Sequence, residues 1–302
     1  VGSSRMPYLN SLAEQNVLLT NYFAVIHPSL PNYIALMSGS TQNITSDCKD
    51  CFVNAPNLAD HIEASGRSWK AYQEDMPSPC FAGDAGLYVQ KHNPLVYFDS
   101  IRLDEARCKR SIVPLTQLNA DLAANQLPDF AFIMPNMCNS GHDCSRSIVD
   151  LWLKDMINSL QQSSALGANS LIVITYDEAG KEDTGSCCNL NASAGGQIVT
   201  VLLSPLARKA FADATPYSHY SLLKTILAAW NLPSLGKTAE EDTSIILAPW
   251  VGESAGNNQN PVLQTAAAGN ELSFPIRAAF YYPWFPEAWK QSGINPFTRY
   301  RP

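Results

Sequence analysis

Leu171-Ile172-Val173-Ile174-Thr175-Tyr176-Asp177-Glu178 is the stretch that decides the fold class. Six uncharged residues suited to burial run without interruption and stop at two adjacent carboxylates. An unbroken run of this kind marks a strand covered on both faces, as in the parallel sheets of α/β proteins. A half-exposed strand would alternate apolar and polar residues instead. Phe130-Ala131-Phe132-Ile133-Met134 repeats the pattern and ends at Pro135-Asn136. Ligands of open α/β sheets gather beyond the carboxyl ends of strands, so the chemistry is expected at Asp177-Glu178 and just after Asn136.

Working outward, residues 8–14 carry a helical pattern and residues 17–25 an extended one. Pro28-Ser29-Leu30-Pro31 breaks the extension, and a helical pattern resumes over residues 32–37. Residues 197–203 form another apolar run, and Tyr217-Ser218-His219 leads into an amphipathic helix over residues 220–230. This alternation predicts an α/β sandwich around a largely parallel sheet. After Trp250 the composition changes: residues 252–270 are rich in Gly, Asn, Ala, Ser and Gln without an apolar period, and residues 274–302 are crowded with aromatics. The expected organisation is a domain over 1–250, a linker over 251–273, and the start of a second domain over 274–302.

The 302 residues suffice for a substantial core, and 46% hydrophobic against 16% charged residues excludes a disordered chain. No run of eighteen apolar residues suggests a transmembrane segment. The net charge of −7, with no basic stripe among aromatics, argues against a nucleic-acid partner. Eight cysteines, Cys48/Cys51, Cys80, Cys108, Cys138/Cys144 and Cys187/Cys188, lie in polar segments. They read as disulfides of a secreted or extracytoplasmic protein, because a zinc ribbon needs a second Cys-x-x-Cys that is missing. Cys138 and Cys144 are expected to pair and close a loop around His142.

Four polar clusters can carry chemistry. Ser29 follows a strand and opens a helix, where it either caps that helix or serves as a nucleophile at a helix N-terminus that stabilises anions. Asp177 and Glu178 form either a solvated turn or a hard-oxygen site for a divalent cation, to which His142, Asp143 and His219 could add mixed N/O ligands. Lys91-His92 is an exposed pair or a cationic clamp for a phosphoryl group.

The order His27-Pro28-Ser29-Leu30-Pro31-Asn32-Tyr33, Lys91-His92-Asn93-Pro94, His142-Asp143, Thr175-Tyr176-Asp177-Glu178 and Ser218-His219-Tyr220 resembles the bacterial phosphoesterase family. That family comprises secreted acid phosphatases, phosphatidylinositol-phosphate phosphatases and phospholipase C-type enzymes of the alkaline-phosphatase-like superfamily. The resemblance spans roughly residues 1–250 and implies a three-layer α/β sandwich. It implies Ser29 as covalent nucleophile, with Asn32, Lys91 and His92 stabilising the phosphoryl oxygens. It further implies Asp177, Glu178, His142, Asp143 and His219 around a divalent metal ion whose identity stays open.

The expected substrate is a phosphorylated small molecule or a phospholipid headgroup. Phosphomonoester hydrolysis leads, phospholipase C or another phosphodiesterase activity is the enzymatic alternative, and an inactive carbohydrate- or wall-binding protein is the alternative of another class. Family members carry an apolar first strand ending in a Glu-Asn pair that this sequence lacks, which implies a truncated fragment or an incomplete metal site. Residues 279–289 resemble the opening strand of a glycoside-hydrolase-like barrel, which implies a longer multidomain parent.

Overall fold

The computed structural model describes residues 1–191, 194–250 and the backbone of 278–281. The strands are β1 (Val17–Phe23), β2 (Trp69–Gln73), β3 (Ile112–Pro114), β4 (Phe130–Met134), β5 (Leu171–Ile174), β6 (Gln197–Leu203), β7 (Phe211–Asp213), β8 (Tyr217–Ser218) and β9 (Ala278–Tyr281). They form one sheet in the order β3-β2-β4-β9-β5-β6-β1-β7, with β8 beside β1. The expectation of a largely parallel sheet needs one correction. β6 runs antiparallel to both β5 and β1, and the remaining pairings are parallel. Reversing one strand between β5 and β1 still leaves those two pointing the same way. The carboxyl ends of β1, β2, β4 and β5 therefore share one edge of the sheet.

Every residue of β4 and β5 is buried, so both faces of the sheet are covered, as their unbroken apolar runs require. The helices are α1 (Pro7–Gln15), α2 (Ser29–Ser38), α3 (Leu58–Ala64), α4 (Asp99–Arg102), α5 (Glu105–Ser111), α6 (Thr116–Ala123), α7 (Arg146–Gln162) and α8 (His219–Ala229). α1 packs on α7, while α2 packs on α8 and α3. On α7 the buried Val149, Leu153, Ile157 and Leu160 recur every three or four residues and form one stripe. From the same helix the Asp150 carboxylate accepts the backbone N–H groups of Tyr8 and Leu9, both at 2.9 Å, and so satisfies donors at the start of α1.

The helix that matters most for the site is α2, which is buried along its whole length. It ends at Gly39, whose φ of +70° is left-handed; a Cβ there would lie 2.0 Å from the Leu235 carbonyl oxygen, so only glycine fits. The expected linker, 251–273, lies outside the described residues. Of 274–302 only 278–281 is described, and β9 lies within the central sheet between β4 and β5.

All eight cysteines pair: Cys48–Cys51, Cys80–Cys108, Cys138–Cys144 and Cys187–Cys188. The expected bridge around His142 is present, and Cys48-x-x-Cys51 is a disulfide rather than half of a zinc site. Among the described residues no helix is long and apolar enough to cross a membrane.

Candidate active site

The site is assembled where β1 and β5 end. Residues 24–28 carry the chain from β1 into α2, and Ser29 is the first residue of that helix. A capping serine would turn its oxygen back onto the helix amides. Ser29 Oγ instead donates to Glu178 Oε1 at 3.0 Å, and α2 has no side-chain cap at its start. Ser29 is buried, and its hydroxyl faces the acids at the end of β5. Ser29 therefore does not cap α2.

The two adjacent acids occupy different environments. Glu178 uses both oxygens within the protein, Oε1 for Ser29 and Oε2 for His27 Nδ1. Asp177 is fully buried, and neither carboxylate oxygen meets a partner with full hydrogen-bond geometry. Burial, reinforced by the neighbouring Glu178 charge, raises the Asp177 pKa to about 8, opposed in part by the nearby Ser29 hydroxyl and the Asp177 and Glu178 backbone N–H groups. A buried carboxylate left unpaired beside a second acid is costly unless protonated or neutralised by a cation, and hard oxygen donors suit a divalent ion. The residues present therefore fit a divalent cation at Asp177 with Glu178 beside it. Among the described residues, no three His, Cys, Asp or Glu side chains converge as a ready cation cluster.

His27 Nε2 lies 3.0 Å from the Asp183 carbonyl oxygen. A carbonyl only accepts, so Nε2 carries a proton; with Nδ1 against a carboxylate, both nitrogens donate when the ring is an imidazolium. Burial opposes that charge, but the bonds to Glu178 and Asp183 and the charges of Glu178 and Asp177 outweigh it, and the pKa lies above the ordinary imidazole value.

The other expected residues fall into two groups by their contacts. His219 opens α8, is fully buried, and bonds the Asp177 carbonyl through Nε2 (2.8 Å) and the Tyr22 hydroxyl through Nδ1 (3.3 Å). Burial lowers its pKa to about 4. With both ring nitrogens engaged inside the protein, His219 braces the backbone of Asp177 rather than presenting a free metal-binding nitrogen.

In the second group, the ring of Tyr33, one turn along α2 from Ser29, lies 5.5 Å from the ring of His92. His92 in turn lies 6.4 Å from His142, whose Nδ1 bonds Asp143 Oδ1 at 2.6 Å. His92 is fully buried with neither ring nitrogen hydrogen-bonded. Burial first, then the charges of Lys91 and His142, depress its pKa well below the ordinary value, so the ring is neutral. His142-Asp143 thus connects to α2 through His92 and Tyr33, whereas Asp177-Glu178 meets it at Ser29.

Two further expected residues are engaged within the protein. Asn32 is fully buried, and its amide is saturated: Oδ1 accepts from Val25 N (2.8 Å) and Ile26 N (3.1 Å), while Nδ2 donates to the carbonyls of Ile26 (2.6 Å) and Pro28 (3.1 Å). It clasps the loop that delivers Ser29 and has no donor left for a phosphoryl oxygen. Lys91 Nζ is 2.8 Å from Asp47 Oδ2, and Asp47 Oδ1 accepts the Leu30 N–H at 2.9 Å. A carboxylate thus sits on the first turn of α2, where an anion is favoured, and holds the lysine meant to clamp phosphate. Asp47 and the Asp183 carbonyl were not expected from sequence. Each acts across a long separation, and only the pairing of Lys91 with an unplaced acid near the Cys48 loop could have hinted at Asp47.

A phosphoesterase family model matches residues 2–233, most of the described chain. The chain belongs to the phosphoesterase family. It is 37% identical over 238 residues to an acid phosphatase of Aspergillus fumigatus, covering 75% of this chain and 51% of that protein. It is 32% identical over 240 residues to a phosphatidylinositol-3-phosphatase of Mycobacterium tuberculosis, covering 78% of this chain and 73% of that protein. The chain spans about half the length of the fungal acid phosphatases it matches.

Among solved structures, a Vibrio parahaemolyticus protein of the alkaline phosphatase superfamily superimposes with a TM-score of 0.50 at 14% identity, covering 79% of this chain and 64% of that one. A protein from a study of glycosaminoglycan metabolism by Bacteroides thetaiotaomicron gives 0.55 at 12% identity, covering 84% and 78%. Such likenesses establish the α/β fold of that superfamily.

Proposed function

We propose that this chain hydrolyses phosphate monoesters through Ser29, as an acid-phosphatase-type enzyme acting outside the cytoplasm. The observation that carries the reading is the 3.0 Å bond from Ser29 Oγ to Glu178, beside the unpaired carboxylate of Asp177. Ser29 Oγ attacks phosphorus, forming an Oγ–P bond while the ester P–O bond breaks. The hydroxyl proton passes to Glu178, and the leaving alcohol takes up a proton. Water then cleaves the phosphoserine, releasing inorganic phosphate and restoring the hydroxyl. Asp177, flanked by Glu178, would hold a divalent cation, which when bound supplies neutralisation of phosphoryl charge.

His92, buried, neutral and with neither ring nitrogen hydrogen-bonded, is suited to hydrogen-bond a phosphoryl oxygen. Asn32 and His219 hold the two loops that carry Ser29 and Asp177. Four disulfides support an oxidising location. The mycobacterial relative favours a phosphoinositide headgroup as one substrate to be tried.

Turnover of 4-nitrophenyl phosphate with and without EDTA, in the parent and in Ser29→Ala, tests the proposal. The expected result is cation-dependent hydrolysis that falls by at least about a thousandfold in Ser29→Ala while the melting temperature is unchanged. Undiminished hydrolysis in that variant would overturn it.

A further inference from the structure

We infer that His27 is a positioning residue of this site: by holding one oxygen of Glu178 it turns the other toward the Ser29 hydroxyl. For its kinetic consequence the inference rests on the nucleophile reading above; for its effect on cation binding it does not.

Glu178 sits on a flexible stem, and a carboxylate at its end can rotate away from Ser29 unless its second oxygen is anchored. His27 supplies the anchor. Its Nδ1 bonds Glu178 Oε2, and its Nε2 reaches the Asp183 carbonyl, so one ring spans the start and the turn of the loop that follows β5. The ring is about one-fifth exposed, beside the buried Ser29, Asp177 and Glu178.

The backbone around His27 is built to keep this span constant. Ala24 N donates to the Gly196 carbonyl at 2.9 Å and Ala179 N to the Gly195 carbonyl at 2.8 Å, so one dipeptide ties the segment before His27 to the segment after Glu178. Neither glycine has room for a side chain. A Cβ on Gly195 would stand 2.5 Å from the Ile26 carbonyl oxygen, and one on Gly196, with φ +81°, 2.6 Å from both Ala179 Cβ and the Asp183 carbonyl oxygen. The loops bearing His27 and Glu178 therefore sit at a fixed separation that the imidazole bridges.

His27→Asn, His27→Gln and His27→Ala separate the two contacts, because the Asn amide nitrogen falls near the place of Nδ1 and the Gln amide nitrogen near that of Nε2. Two readouts are taken: kcat and KM on 4-nitrophenyl phosphate, and affinity for Mn2+ alone by calorimetry. The expected result is a 10- to 100-fold lower kcat in His27→Ala and His27→Gln, with KM within about threefold of the parent and Mn2+ affinity about tenfold weaker. His27→Asn should restore both to within about threefold. Parent-like kcat and Mn2+ affinity in His27→Ala would overturn the inference. So would rescue by Gln equal to that by Asn, or failure of a folded Asn variant to rescue. If Ser29→Ala retains activity, the nucleophile reading falls, and the Mn2+ measurement still decides His27.

Discussion

Replacing Asp177 with Asn should stabilise the cation-free protein, by an amount that grows with pH. The folded-state pKa of Asp177 is raised from 3.8 to about 8, chiefly by burial. Below about pH 4 the carboxyl is protonated in both folded and unfolded chains and costs nothing. Between pH 4 and 8 the unfolded chain ionises while the folded chain holds its proton, so stability falls as pH rises; above pH 8 the loss is complete. Each pH unit in that window is worth about 1.4 kcal/mol, giving a total on the order of 5 kcal/mol. His219 and His92, both buried and neutral, lose stability in the opposite sense on acidification, but they are present in both proteins and cancel in the difference. The assay is urea unfolding in EDTA at several pH values from 4.5 to 8.5, read as variant minus parent. The difference should be small at pH 4.5 and rise steadily to pH 8 in favour of Asn. Added Mn2+ should reverse it by stabilising the parent far more than the variant. A difference flat with pH, or one that turns toward the parent as pH rises without cation, would refute the argument that Asp177 is a buried carboxylate awaiting a counter-charge.

Asn32→Ala removes all four bonds of a fully buried amide and should cost about 2–4 kcal/mol in urea unfolding; a loss under about 0.5 kcal/mol would mean the clasp is not needed. Asp47→Asn keeps an acceptor for Leu30 N–H but removes the charge facing Lys91, so inhibition by inorganic phosphate should tighten several-fold; unchanged inhibition would remove Lys91 from the phosphate site. Replacing both Cys138 and Cys144 with Ser opens a short loop and should cost about 2 kcal/mol by the chain-entropy argument, with phosphatase activity falling if His142 serves the site.

Much of the scaffold is legible in the sequence because burial on both faces leaves a mark in the residues themselves. β4 and β6 coincide with their apolar runs to the residue, and β5 ends two residues short of its run, before Asp177. Direction leaves no such mark: nothing in Gln197–Leu203 tells whether it runs with or against its neighbours, and β6 proves antiparallel. The same division holds at the site. Ser29, Asp177 and Glu178 stand at element ends that local pattern reveals. Asn32 keeps the residue type expected of an oxyanion donor, yet its donors are taken by carbonyls four and six residues back. Asp47 and Asp183 enter through contacts with Lys91 and His27 that lie 44 and 156 residues away in the chain. Pairings of that kind are set by how the loops meet above the sheet, which no window of sequence contains.

Ser29 Oγ is the atom proposed to accept the phosphoryl group. Acid quench of the parent during turnover of a 32P-labelled phosphomonoester, followed by peptide mapping, measures this without inference from rates. The predicted result is label on the peptide containing Ser29, as phosphoserine, and its absence from Ser29→Ala. Label on another residue, or steady turnover of the substrate by Ser29→Ala, would contradict it.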